Sequence, residues 1–293
     1  MNGYKNGYPC QTIKYEDVQN TVKYLRNRTT IRPVLAIICG SGLGGLANTL
    51  EDQEAFAYKD IPNFLVSTVP GHAGRLVFGR LGGKEVVCMQ GRFHCYEGYP
   101  VARITLSVRV MIELGAKMLI VTNASGGLNS DYKVGDLMVM KDHINLPGLT
   151  GINPLIGSTD DRFGPRFVPL SDAYNKKYRD LAKEIAQELG MDYLKEGIYV
   201  FQSGPCFETV TECCLFRMLG ADVTGMSSVP EVIVARQMGV DVLGISLVTN
   251  KCIRTYDAVE VANHEEVLET GRMRAKDMER FVAKIAERVE FKG

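Results

Sequence analysis

The stretch Arg92-Phe93-His94-Cys95-Tyr96-Glu97-Gly98-Tyr99 crowds a guanidinium, an imidazole, two phenols and a carboxylate into one turn. A guanidinium offers a planar fork that can clamp a phosphate in two places, and a neighbouring imidazole can donate one more bond. A second anion-binding candidate is Gly40-Ser41-Gly42-Leu43-Gly44-Gly45, where glycines let backbone N–H groups approach a charged ligand and Ser41 adds a hydroxyl donor. Its spacing matches G-x-G-x-x-G, but a dinucleotide site also needs a helix, a second parallel strand and an acidic residue about twenty positions on. Here Asp60 runs into Ile61-Pro62-Asn63 and a loop, so that unit is missing. An ordinary strand-to-loop turn explains the glycines but not Ser41. His72, in Val69-Pro70-Gly71-His72-Ala73-Gly74, is a third candidate. Asn123-Ala124-Ser125-Gly126-Gly127 and Gly225-Met226-Ser227-Ser228 could add backbone and hydroxyl donors, and each also reads as a plain turn. Of the four histidines, His72, His94 and His264 fall in loops, whereas His143 reads as structural.

These groups need a scaffold that delivers them to one place. Apolar, β-branched runs predict buried strands at 34–39, 117–123, 136–140, 197–202 and 241–250. Helical spacing predicts helices at 103–114, 175–189, 209–219 and 230–238, each followed by a glycine stop. A last helix is expected from an Asn263 N-cap to about Val289. Residues 76–91 read as an antiparallel hairpin inserted into this alternation. The expected architecture is therefore a single α/β domain over residues 1–293, a mixed sheet flanked by helices, with ligands gathered at strand carboxyl ends.

Bulk properties narrow the function. A chain of 293 residues, 45% apolar and 23% charged, suits a globular enzyme. Lys plus Arg balance Asp plus Glu at 34 each, which provides no field to attract nucleic acid or an acidic membrane surface. The N-terminus lacks the apolar stretch of a signal peptide, so a cytoplasmic location is expected. The eight cysteines are scattered without Cys-x-x-Cys spacing and read as buried free thiols. Sequons at Asn27 and Asn123 are discounted for a chain that is not secreted.

Taken together, Ile37 to Gly44, Thr68 to Gly74, Gln90 to His94 and Tyr96 to Tyr99 resemble the trimeric purine nucleoside phosphorylase family. The likeness continues in register through Asp142 to Asn145, Gly204-Pro205, Phe207-Glu208-Thr209, Gly225 to Ser227, Val229 to Ile233, Thr249 to Lys251 and Asn263 to Glu266. It implies phosphate held by Ser41, His72, Arg92, His94, the Ala124 backbone and Ser227. It also implies ribose against Tyr96, Met226 and His264, and a purine on Phe207 whose edge is read by Glu208 and Asn250. His94, Glu208, Asn250 and His264 would be the catalytic residues, and Phe167 would enter a neighbouring subunit's ribose site in a homotrimer. A core role for Phe167 stays open. Ser125, Cys206, Cys95 and Ser228 depart from the usual family residues without removing an assigned polar group, and Cys95 and Cys206 bear on pocket shape. Residues 252–261, polar and irregular, suit a gating loop.

Cleavage of a nucleoside leaves an oxocarbenium-like sugar and a purine anion, so catalysis must supply negative charge at C1′ and hydrogen bonds to the base. Phosphate, as co-substrate, does the first, so neither a metal nor another cofactor is expected. Asn250 and Glu208 would serve the base, and His264 would orient the 5′-hydroxyl. The expected reaction is phosphorolysis of inosine, guanosine and their deoxy forms in purine salvage. Two other readings are a 5′-methylthioadenosine phosphorylase, whose adenine favours an aspartate where Asn250 stands, and a non-catalytic nucleoside-binding module, which would not need His72, His94 and His264 together.

Overall fold

A computed structural model describes residues 4–5, 8–9, 12–69, 71–157, 160–258 and 264–291. β1 (Tyr4–Lys5) and β2 (Tyr8–Pro9) pair only with each other. The main sheet comprises β3 (Leu35–Cys39), β4 (Glu51–Ala57), β5 (Arg75–Leu81), β6 (Lys84–Gln90), β7 (Met118–Gly127), β8 (Leu137–Asn145), β9 (Leu194–Phe201), β10 (Val223–Gly225) and β11 (Asp241–Lys251). Its spatial order is β10-β9-β8-β11-β7-β3-β6-β5-β4. The helices are α1 (Tyr15–Arg26), α2 (Val101–Ile104), α3 (Leu106–Leu114), α4 (Leu146–Leu149), α5 (Lys176–Glu188), α6 (Val210–Met218), α7 (Val229–Gln237) and α8 (His264–Arg288). No helix among the described residues is long and apolar enough to cross a membrane.

All five residues of β3 are buried, because the strand is covered on both faces, which is what its unbroken apolar run encodes. One face packs Ile38, Val121 and Val232 into a cluster with α1, α3 and α7. The other packs Ile37, Ile120 and Phe281 with α5 and α8. The expected hairpin is present, and Gly82 and Gly83 turn it with φ of 57° and 76°, as a two-residue primed turn requires. Asn175 caps α5 through the Lys177 N–H, and Thr209 and Glu212 form a capping box on α6. The predicted helix 103–114 is divided at Thr105, whose hydroxyl donates to the Ala102 carbonyl. Asn263 lies outside the described residues.

Several elements lie beyond the expected set: β1, β2, α4 and β10, which are short, and the longer α1 and β4. α1 buries Val18, Thr21, Val22 and Leu25 along one face. β4, Glu-Asp-Gln-Glu-Ala-Phe-Ala, is an exposed edge strand whose acidic residues discourage pairing with another chain.

The feature that makes room for a ligand is a parting in the sheet. β7 pairs with β3 only as far as Val121, and pairs with β10 at Gly126 and Gly127. Between those points, residues 122–125 face a gap with the β3 and β6 carboxyl ends on one side and the β10 end on the other. β10 also pairs with β9, so β7, β11, β8, β9 and β10 close on one another around this edge. Asn123 to Gly127, readable as a turn, is therefore strand held by β11.

Candidate active site

A cavity of about 400 Å³ occupies the parting. Its walls bring together Ser41, Arg92, His94, Tyr96, Ala124, Phe207, Glu208, Met226, Ser227 and Asn250, drawn from six separate stretches of chain.

At one end, hydroxyl and imidazole groups converge. Ser41 Oγ lies 3.3 Å from His72 Nε2. His72 Nδ1 lies 3.1 Å from the Arg92 backbone nitrogen, and the Arg92 carbonyl already accepts from Ser67 Oγ at 3.2 Å. Nδ1 is also 3.1 Å from the Arg92 carbonyl; with Nδ1 accepting from the Arg92 N–H, which would otherwise be left unpaired at a cost of about 1–3 kcal/mol, the ring proton sits on Nε2. His72 Nε2–H then donates to Ser41 Oγ, which frees the serine hydrogen for the cavity. Burial, with the nearby His94, pulls His72 down to about 4, so it is neutral at pH 7. His72 thus stands behind Ser41 and does not itself line the cavity.

His94 stacks on Tyr96, with ring centroids 4.6 Å apart, and its Nδ1 lies 3.3 Å from Glu97 Oε1. A carboxylate only accepts, so Nδ1 carries the proton and Nε2 is left to a ligand. Burial lowers the His94 pKa, while Glu97 opposes that shift. Burial would raise the Glu97 carboxyl, but donors from His94 and Thr68 outweigh it and hold the group at about 2. Glu97 accepts from the His94 N–H at 2.8 Å and from the Thr68 N–H and Oγ at 2.7 and 2.8 Å.

Arg92 does not offer the open fork that the sequence implied. It is 1% exposed, and Nη1 donates to Ser227 Oγ at 2.7 Å and Ser228 Oγ at 2.9 Å, while Nη2 donates to the Thr122 carbonyl at 2.9 Å. Its Nε faces Glu231 at 3.5 Å, an ion pair buried on both sides. Arg92 therefore positions Ser227 and supplies charge from behind. Ser228, held at φ 70°, also accepts from Asn123 Nδ2 at 2.9 Å. In the glycine loop, Gly40 and Ser41 line the cavity, and Gly40 is also required by packing. The Gly40 N–H donates to Thr122 Oγ1, and a Cβ on Gly40 would come within 2.6 Å of the Thr122 carbonyl oxygen. A 3₁₀ turn and β4 follow it, so the dinucleotide reading fails as expected.

The opposite end suits a purine. Phe207 is 43% exposed, as a ligand-facing ring would be. Glu208 Oε1 accepts from Gln202 Nε2 at 2.9 Å and Thr224 Oγ1 at 2.6 Å, which fixes the carboxylate plane. Asn250 Oδ1 accepts from Thr249 Oγ1 at 3.2 Å and keeps a second lone pair.

Other expectations fall elsewhere. Phe167 is 85% exposed and lines a separate groove with Val168 and Leu170, which removes the core-aromatic alternative and places it outside its own chain's cleft. His264 opens α8, and its side chain lies outside the described residues. His143 hydrogen-bonds Tyr174 at 2.9 Å away from the cleft, in keeping with a structural role. Residues 252–258 form neither helix nor strand, and 259–263 lie outside the described residues. Seven described cysteines are free; Cys39, Cys88 and Cys213 are buried, but Cys206 and Cys214 are exposed, which corrects the expectation of uniformly buried thiols. Sequence reasoning gave no task to Glu97, Thr68, Thr224, Gln202 or Glu231. Only Glu97 carried a local signal, its spacing three residues after His94.

The phosphorylase superfamily model matches residues 34–287. The chain is 54% identical over 289 residues to the purine nucleoside phosphorylase of Bos taurus, covering 98% of each. It superposes with a TM-score of 0.92 on the Schistosoma mansoni purine nucleoside phosphorylase crystallised with inosine, at 44% identity over 95% of this chain and 98% of that one. The Schistosoma mansoni enzyme crystallised with adenosine gives the same score at 45% identity, over 95% and 99%. By sequence, coverage and fold, the chain belongs to the purine nucleoside phosphorylase family of the phosphorylase superfamily.

Proposed function

We propose that the cleft carries out phosphorolysis of 6-oxopurine ribonucleosides and deoxyribonucleosides, giving free base and (deoxy)ribose 1-phosphate for purine salvage. The observation that carries this reading is the division of one cavity of about 400 Å³ into a polar end, with the Ser41 and Ser227 hydroxyls beside His94 Nε2, and a base-sized end at Phe207, Glu208 and Asn250. Phosphate sits at the first end, with the Ala124 backbone as a further donor, and attacks C1′ as the glycosidic bond lengthens. Its charge stabilises the oxocarbenium-like sugar, and Arg92 adds positive charge behind Ser227. Tyr96, Met226 and His264 hold the ribose. Glu208 accepts from purine N1–H, and Asn250 accepts from N7–H as negative charge flows into the leaving base. This chemistry calls for no metal or organic cofactor.

Adenosine has a lone pair at N1, which would face the Glu208 carboxylate. A buried mismatch of that kind discriminates strongly. A relative is known with adenosine bound, so the selectivity claim concerns turnover, read as kcat/KM. The exposure of Phe167 supports a homotrimer in which this ring completes the neighbouring ribose site. We propose a cytoplasmic location for this activity. The test is inosine with and without phosphate: ribose 1-phosphate and hypoxanthine should form only with phosphate. Full-rate release of free ribose in phosphate-free buffer would overturn the mechanism.

A further inference from the structure

Glu208, Cys213 and Cys252 converge at the base end of the cleft, and phosphorolysis uses neither thiol. Glu208 precedes α6, Cys213 lies in its first turns, and Cys252 follows β11. A carboxylate oxygen and the two Sγ atoms lie within 4.8 Å of one another. Glu208 Oε1 is occupied by Gln202 and Thr224, whereas Oε2 has no hydrogen-bond partner among the described residues. A Cβ on Gly126 would come within 2.7 Å of Cys252 Sγ and 3.5 Å of Asn250 Nδ2, so this sulfur lies behind two residues that line the cavity without lining it itself.

We propose that Glu208, Cys213 and Cys252 form a site for a thiophilic divalent cation of the Zn²⁺ class, and that the cation and the purine compete for Glu208. Two thiolates and one carboxylate are a three-ligand set for a tetrahedral ion that keeps one position open. With Zn–S near 2.3 Å and Zn–O near 2.1 Å, the ligand atoms stand about 3.6–3.8 Å apart, so closing the trio needs side-chain movement of at most about 1 Å. Binding releases the two thiol protons to solvent. The free Oε2 is the oxygen that would accept from purine N1–H, and it cannot serve both partners at once. The competition rests on the base-reading role given to Glu208; the metal site does not.

Co²⁺, titrated into the full chain in phosphate-free buffer with a non-thiol reductant, reads the site spectroscopically. The expected result is one equivalent bound with sulfur-to-cobalt charge-transfer absorption, and displacement of the ion by hypoxanthine. Cys252→Val and Cys213→Ser should each weaken Co²⁺ binding at least about tenfold. Cys252→Val should retain metal-free phosphorolysis of inosine, which also reports its fold. A variant carrying both Cys206→Ser and Cys214→Ser, without the exposed thiols, should keep the band. No stoichiometric band, or a band that survives Cys252→Val or vanishes with the exposed thiols, overturns the site. A band that hypoxanthine leaves untouched overturns the competition. Metal-free inosine turnover undiminished in Glu208→Ala overturns the base-reading role instead, and leaves the Co²⁺ result standing on its own.

Discussion

Glu97→Gln isolates the link between His94 and phosphate. The carboxylate accepts on both oxygens, from His94 N–H and Nδ1 on one and from Thr68 N–H and Oγ on the other. A glutamine has one accepting oxygen. Turned toward Thr68, where both bonds are 2.8 Å or shorter, it sets an NH₂ against two His94 donors. The imidazole must then move its proton to Nε2 and lose the partner that favours its charged form. Hydrogen bonds to charged groups contribute about 1.5–3 kcal/mol, so kcat/KM for phosphate should fall about 10- to 150-fold. The inosine KM at saturating phosphate should change less than about threefold, because the base end is untouched. The pH sign follows from the same contact. Glu97 raises the pKa of His94 against burial, so its removal lowers that pKa, and a limb that depends on imidazolium, lost as pH rises, should shift to lower pH. Steady-state kinetics with each substrate varied in turn, repeated across pH, provide the measurement. An equal loss in both KM values, or an unmoved alkaline limb, would reduce Glu97 to a loop staple and refute the reasoning.

Asn250→Asp should lower the inosine-to-adenosine ratio of kcat/KM at least about tenfold, or 1.4 kcal/mol, because it substitutes an acceptor for the 6-amino group; an unchanged ratio means Asn250 does not read the base. Phe167→Ala should leave thermal stability within about 0.5 kcal/mol, as expected for an exposed side chain, yet impair inosine turnover. Unchanged kinetics, or full activity from a monomer in sedimentation, removes the shared site. Arg92→Ala leaves Glu231 buried without its partner and should cost about 3–5 kcal/mol of stability in addition to about 1.5–3 kcal/mol of phosphate-linked catalysis. A variant with wild-type denaturant midpoint would show that the buried pair is not what holds Ser227.

Most of the fold was legible because its core strands are continuous apolar runs closed by glycine or a capping residue. β4 was not, since an edge strand need not be hydrophobic and its acidic composition argues against a strand by propensity. α1 was legible in principle: Val18, Val22 and Leu25 carry the helical period, but no strand precedes the helix to frame it as part of the alternation. The last strand residues of β7 were hidden for another reason. Ala124-Ser125-Gly126-Gly127 has turn composition, and its extended form comes from β11 and β10, some hundred residues downstream.

The site divides along the same line. Ser41 and His94 were visible because each follows a predicted strand, and strand ends are where an α/β sheet leaves room; Glu208 and Asn250 were named only through the family resemblance. What each group does there depends on partners that sequence spacing cannot show. Arg92 looked like a clamp because its type and neighbours favour one, but Ser227 and Ser228 take Nη1 and Glu231 faces Nε from at least 135 positions away, while the Thr122 carbonyl takes Nη2. The same folding event turns Ser227 from an ordinary turn residue into a fixed donor. Long-range closure thus converts a sequence motif for anion recognition into a charge held behind a hydroxyl, and in the proposed reaction it leaves Ser41, His94 and Ser227 to meet the phosphate.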